Sequence, residues 1–432
     1  MLAPIAVAAL SARMLAEAGR DGGYRTVALD LFGDADTRRA AQAWFPLGDP
    51  ATLSIDGEAL LAALRRLRAC GAAGWVAGSG FEAQPELLAA GAQVLPLIGN
   101  PPDVVARVRN PAGFFGRLAE LGIPHPETRR DCPPSPLGWL RKDFASSGGR
   151  GVRPALRERL DASGTVGANS GPQAGIHYQR ITPGAPMSAL FVADGRRSRL
   201  IGVNRQIVRK FRDHPYVFCG CIGALPLSSG VRRTLEGLLD ALAAEFGLRG
   251  VNGLDFLLDG ERLSVLEVNP RPPASIALYR DVLPGGMLRA HVAASREGEL
   301  PDVQEAGSGG RIPADAATVM TTGGGGAIDG CEASANLRAL HRGFELVFAD
   351  RHCIVGEIAA NTLARLGWCH DLPAAGTRFG PGDPVCTVSA ADPSLAGVQA
   401  RLARRRRLIP SLLEQADEGS SEGARARELE CQ

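Results

Sequence analysis

Glu267, Asn269 and Arg271 stand at alternate positions just after the strand-like run Leu263-Ser264-Val265-Leu266. Side chains two apart on a strand share a face, so an acid, an amide and a guanidinium point one way while Leu266 and Val268 point the other. On a buried face such a triplet is unfavourable unless it is paired or binds an ion. A hairpin brings a fourth group to it. Segments 251–258 and 263–269 read as strands joined around Asp259-Gly260, and a loop of roughly three to five residues sets Asp255 opposite Glu267. Opposed carboxylates repel; a divalent cation between them turns repulsion into binding. Asn269 adds a third oxygen, and ligation by oxygen from few protein groups suits Mg²⁺, which keeps its waters and takes further ligands from phosphate. For Glu-x-Asn-x-Arg alone a solvated strand edge is the plainer reading. With Asp255 in register, a metal site is favoured.

Phosphate chemistry has its own signal upstream. Of 48 basic residues only Lys142 and Lys210 are lysine. Against an arginine default, a retained lysine suggests a compact point charge in a tight pocket, suited to a phosphate oxygen. Lys142 ends the strand-like Trp139-Leu140-Arg141 and precedes the small-residue loop Ala145-Ser146-Ser147-Gly148-Gly149-Arg150-Gly151. Glycines let backbone N–H groups approach an anion closely. The order is not that of a P-loop, since the lysine precedes the glycines. A glycine-rich loop by itself reads first as a flexible hairpin connection.

These groups need a scaffold. The chain has 432 residues, 45% hydrophobic and 22% charged, with a net charge of +2. That composition is globular, the length fits two or three domains, and the charge points to neither a nucleic-acid partner nor a membrane surface. No apolar run approaches the ~18–20 residues of a membrane span. The nine scattered cysteines read as reduced thiols in a cytoplasmic protein. Strand 4–10, helix 11–21, strand 24–31, helix 57–70 and strand 74–78 alternate in the manner of a parallel sheet.

The loop lysine and glycines, a following hinge, then an acid and Glu-x-Asn together resemble the ATP-grasp superfamily, which includes biotin carboxylase and D-alanine–D-alanine ligase. The resemblance covers most of residues 1–300. It implies an α/β and α+β architecture: a Rossmann-like pre-ATP-grasp domain (1–103), a two-lobed ATP-grasp domain (104–298), a small β-rich C-terminal region (310–415) and a disordered tail (416–432). It further implies ATP and Mg²⁺ as cofactors, with two ions and Mn²⁺ as a substitute. Lys142 would contact phosphates beneath Ser146, Ser147, Gly148, Gly149 and Gly151. Gln179, with backbone groups of Arg180, Ile181 and Thr182, would meet the adenine edge. Asp255, Glu267 and Asn269 would hold the metal, and Arg271 would stabilise charge at the reacting centre. Asn204 and Gln206 would line the site from the larger lobe. The implied reaction joins a carboxylate and an amine, both small molecules, through an acyl phosphate, in biosynthesis of a pterin- or furan-type cofactor. Alternatives are a carboxylase using carboxyphosphate and an ATP-binding regulatory subunit; a homodimer stays open.

Two features depart from the family pattern. Relatives carry a second lysine ahead of the loop; here only Arg107 or Arg109 is available. The segment Pro272-Pro273-Ala274-Ser275-Ile276 does not match biotin carboxylase, which favours ligation over biotin-dependent carboxylation, with Ser275 at the substrate end or capping a helix. Beyond 300, Gln304–Gly310 reads as a linker and the tetraglycine of 320–330 as a loop, followed by strands, a turn and a helix. Arg404–Arg407 reads as a solvated face. Cys219-x-Cys221, His352-Cys353 and Cys369-His370 lack zinc spacing. Lys210 and His214 are minor substrate-side candidates.

Overall fold

A computed structural model describes residues 3–143, 146, 148–156, 175–303 and 340–414. Ser147, the linker, the tetraglycine stretch and the tail lie outside these. The N-terminal part is a parallel sheet in the order Ala43–Pro46, Thr26–Asp30, Ile5–Ala8, Gly74–Ala77. Ile5–Ala8 and Thr26–Asp30 are buried throughout, as strands covered on both faces must be. Helices Arg13–Asp21 and Gly57–Ala69 follow two of the strands, so the expected alternation is present. Asp56 caps the second helix by accepting the N–H groups of Glu58 and Ala59 at 2.9 and 3.2 Å, a contribution of about 1 kcal/mol.

Two further sheets face a common cavity. The smaller runs Thr128–Arg129, Ile176–Arg180, Trp139–Asp143, Val152–Pro154 and carries Lys142. The larger has eight strands in the order Arg262–Asn269, Arg249–Asp259, Ala185–Asp194, Ser198–Phe211, His214–Gly223, His341–Phe348, Pro384–Asp392, Cys369–His370. Helix Ser229–Phe246 covers it with Val231, Leu235, Leu238, Leu239, Leu242 and Phe246, a stripe at helical spacing. Ser228 caps its start and Gly247, at φ 70°, ends it.

The last three strands of that order belong to the C-terminal region, so its β structure continues the large sheet instead of standing apart. Of Arg404–Arg407, expected as a solvated face, Arg404 and Arg407 are exposed but Arg405 and Arg406 are half-buried. Arg406 lies 3.1 Å from Glu345, which is 1% exposed on strand His341–Phe348, and Arg405 lies over the Trp368 ring. A buried acid on the sheet draws Arg406 inward.

Candidate active site

Asp255 faces Glu267 as expected, though through a two-residue turn instead of a longer loop, and Leu266, expected on the opposite face, lines the cavity. Strands Arg249–Asp259 and Arg262–Asn269 pair Asp255 with Glu267 and Gly253 with Asn269, with a bulge after Asp255. Both acids, Asn269, Arg271 and Lys142 line one cavity of about 1250 Å³. Burial, then the Glu267 charge, push the Asp255 carboxyl up to about 7. Burial also opposes ionisation of Glu267, but Arg109 and Lys142 outweigh it and hold this carboxyl below its usual range. An acid pair facing an open cavity, with Glu267 ionised and Asp255 holding its proton near neutrality, fits a divalent cation, which displaces that proton. Gln206 also hydrogen-bonds Asp255. Asn269 turns its amide nitrogen to Asp255 (3.4 Å) and its oxygen to Arg271 (3.3 Å). Offering that oxygen to a metal requires a half-turn of the amide.

Lys142 sits in mid-sheet between Val152 and His177. Burial lowers its pKa, while Glu267 and Asp255 support its charge. Burial and Lys142 together push His177 down to about 4, so this neighbour stays neutral at physiological pH. Arg109, not Arg107, reaches the site: its guanidinium donates to Glu267 at 3.0 Å, whereas Arg107 donates to the Phe246 carbonyl.

The glycine loop folds back onto the larger sheet. Phe218 N–H donates to the Gly148 carbonyl at 2.9 Å, and His214 Nδ1 lies 2.7 Å from the Arg150 carbonyl. His214 thus holds the loop, while Lys210 does not line the cavity. Gly149 (φ 75°) is forced: a Cβ there would lie 1.9 Å from the Tyr216 carbonyl oxygen. Ser146 donates its backbone N–H to the Asp143 carbonyl, and the Gly151 carbonyl accepts from the Asp143 N–H.

Gln179 is 1% exposed and donates to Thr128 Oγ1. The N–H groups of Arg180 and Ile181 already serve the carbonyls of Glu127 and Gly138. Of this segment, the expected adenine edge, carbonyl oxygens and the Thr182 amide are what a ring could use. Asn204 is fully buried, bonded to Ser188 and Tyr279, and therefore structural. Ser275 is buried at the cavity wall in the 3₁₀ turn Ala274–Tyr279.

One partner was missed by sequence reasoning. Glu82, in the loop after strand Gly74–Ala77, accepts from Arg271 Nε at 2.6 Å and from the Gly80 N–H at 2.7 Å. Burial opposes its charge, but Arg271 prevails and keeps its pKa low. The pair fixes Arg271 from the N-terminal sheet. A glutamate after Gly-Ser-Gly-Phe is the only trace of it in the sequence.

Residues 112–275 match the family model for an ATP-grasp domain. Among curated proteins, the carbamoyl phosphate synthase large chain of Streptomyces avermitilis is 23% identical over 241 residues, 51% of this chain but only 22% of its own length. Among solved structures, the biotin carboxylase domain of Hydrogenobacter thermophilus 2-oxoglutarate carboxylase, in complex with MgADP and bicarbonate, superposes with a TM-score of 0.62 at 13% identity, covering 94% of this chain and 89% of that one. An L-amino acid ligase from Bacillus licheniformis gives 0.61 at 14%, covering 94% and 97%. The chain has the ATP-grasp fold, and its neighbours include both carboxylases and ligases. Among the described residues no helix is long and apolar enough to cross a membrane.

Proposed function

We propose, with the ATP-grasp fold as premise, that the protein is a ligase joining a carboxylate to an amine while ATP is cleaved to ADP and phosphate. The observation that carries this reading is the convergence of Lys142, Arg271 and the Asp255–Glu267 pair on one cavity large enough for a nucleotide and a second molecule, with Arg109 donating to Glu267. Asp255, Glu267 and Asn269 would hold Mg²⁺, as two ions with Mn²⁺ able to substitute, which would supply positive charge against the phosphates. Lys142 and the 146–151 loop would orient the terminal phosphate. The acid takes the γ-phosphoryl group and becomes an acyl phosphate. The amine nitrogen then attacks the acyl carbon, phosphate leaves, and the proton lost from nitrogen passes to solvent. Arg271, held by Glu82, would meet the oxyanion of that step. The pterin- or furan-type cofactor setting rests on the family resemblance.

Hydroxylamine stands in for the amine in a direct test. With Mg·ATP and a pool of carboxylic acids, the wild type should form an acyl hydroxamate and Glu267→Ala should not. Bicarbonate-dependent ADP release with no hydroxamate from any acid would replace the ligase by a carboxylase.

A further inference from the structure

The cavity has a second polar wall, where helix Arg13–Asp21, the turn before helix Ala35–Ala40 and the loop after strand Cys369–His370 meet. At its centre is Arg13, 3% exposed. It donates to both oxygens of Asp371 (2.7 and 3.1 Å) and to Glu17 (3.3 Å), and lies 3.6 Å from Asp36. Arg280 donates to Glu17 at 3.2 Å, and Asp36 accepts the N–H groups of Asp371 and Leu372 at 2.8 and 3.0 Å. Glu17, Asp36 and His370 are close enough together for a metal. Arg13 already supplies the cation among these acids, and each carboxylate has its own donors.

Asp34 differs. It is 9% exposed and lines the cavity. It stands at the start of helix Ala35–Ala40, where an aspartate ordinarily folds back to accept the helix N–H groups, and it makes no such bond. Among the described residues its carboxylate has no hydrogen-bond partner. Burial, then the charges of Asp371, Asp36 and Asp30, raise its pKa well above the carboxylate range, and Arg13 only partly opposes them. Asp30 itself is satisfied by the N–H groups of Ala12 and Gly33 and by Trp44. Glu17, Asp21, Asp34, Asp36 and Asp371 thus share Arg13 and Arg280, and Asp34, which has no donor of its own, looks into the cavity. A buried acid without a partner is unfavourable in the free protein and becomes favourable when a cation reaches it.

We propose that Asp34 anchors a primary ammonium group of the substrate, so that this wall of the cavity is a cation subsite and the protein acts on an ammonium-bearing small molecule. The proposal rests on the ligase reading only in taking the cavity as the substrate site. No bond is made or broken at Asp34; it recognises a group that stays protonated.

Thermal unfolding of the full chain tests this. The probes are a panel of primary alkyl amines, aralkyl amines and amino acids, each beside the alcohol that replaces its ammonium by hydroxyl, with Mg·ATP as a separate arm. The wild type should gain roughly 2–4 °C from one or more ammonium compounds and nothing from their alcohols. Asp34→Asn should lose that gain, keep the Mg·ATP shift, and unfold at or above the wild-type temperature, because it removes a carboxyl that burial and three neighbouring acids oppose. Asp34→Glu should restore part of the gain. Equal shifts from amine and alcohol, a shift that survives in Asp34→Asn, or no shift from any ammonium compound would each overturn the subsite. Loss of the Mg·ATP shift in the wild type would strike the nucleotide reading instead and leave the ammonium arm to stand on its own.

Discussion

At the scale of single residues, the site is a balance of unlike charges that neither partner could sustain alone. Lys142 stays useful because Glu267 and Asp255 support its charge against burial. An arginine there would need room for a planar fork on the cavity face of the sheet. Lys142→Arg should therefore weaken Mg·ATP binding by roughly 10–100-fold, read by titration calorimetry; unchanged affinity would remove Lys142 from the phosphate site. Glu82 acts through Arg271. Glu82→Gln takes away a charge-assisted bond of about 1.5–3 kcal/mol, so kcat should fall ~10–100-fold while Mg·ATP affinity holds; a parallel loss of both would make Glu82 merely structural. Lys142 and the Asp255–Glu267 pair were legible because a strand's alternation and a short hairpin are local rules, whereas the bulge that sets the two acids opposite each other left no trace in the sequence. Glu82, the choice of Arg109 over Arg107, and Asp34 were not, since each meets its partners only after distant segments fold together.

At the scale of elements, the acid hairpin is clasped to the N-terminal sheet. Asn100 donates to Asn252 and to the Pro270 carbonyl at 2.7 and 2.9 Å, and accepts from the Arg249 N–H at 2.8 Å. His291 accepts the Val251 N–H at Nδ1, which leaves Nε2–H to donate to the Ile98 carbonyl. Burial pushes this histidine down to about 4. Between that value and the unfolded one of about 6.5 the unfolded chain binds the extra proton. The clasp is therefore intact above a pH of about 6.5 and loses stability as pH falls toward 4, by on the order of 3 kcal/mol at the lower end. His177 and His370 are pushed to about 4 as well, so His291→Gln should make the fall in unfolding temperature over that window shallower without abolishing it, and an unaltered pH profile would mean that His291 does not contribute. The glycine loop is held just as locally. Gly149→Ala drives a methyl group into the Tyr216 carbonyl at a positive φ, so the loop should lift and Mg·ATP affinity fall ~10-fold or more with little change in unfolding temperature. The loop's glycines were visible in sequence; the strand His214–Gly223 that dictates which one is indispensable was not.

At the scale of the whole molecule, three sheets enclose one cavity, and each contributes a different kind of group. The small sheet brings Lys142, the large one the acid pair, and the N-terminal parallel sheet brings Glu82 and the wall around Arg13 and Asp34. The parallel sheet and the large lobe's helix could be read from alternation and a helical stripe. The joining of His341–Phe348 to His214–Gly223 across a long stretch of chain could not, because edge pairing leaves no periodic trace. The measurement that bears most directly on the account is ADP release by the purified full chain with Mg²⁺. Acid with amine, acid alone, amine alone and bicarbonate would be compared, with Glu267→Ala as the blank. Release that needs both acid and amine and vanishes in the variant is the predicted result. Release driven by bicarbonate alone, or undiminished in Glu267→Ala, would contradict it.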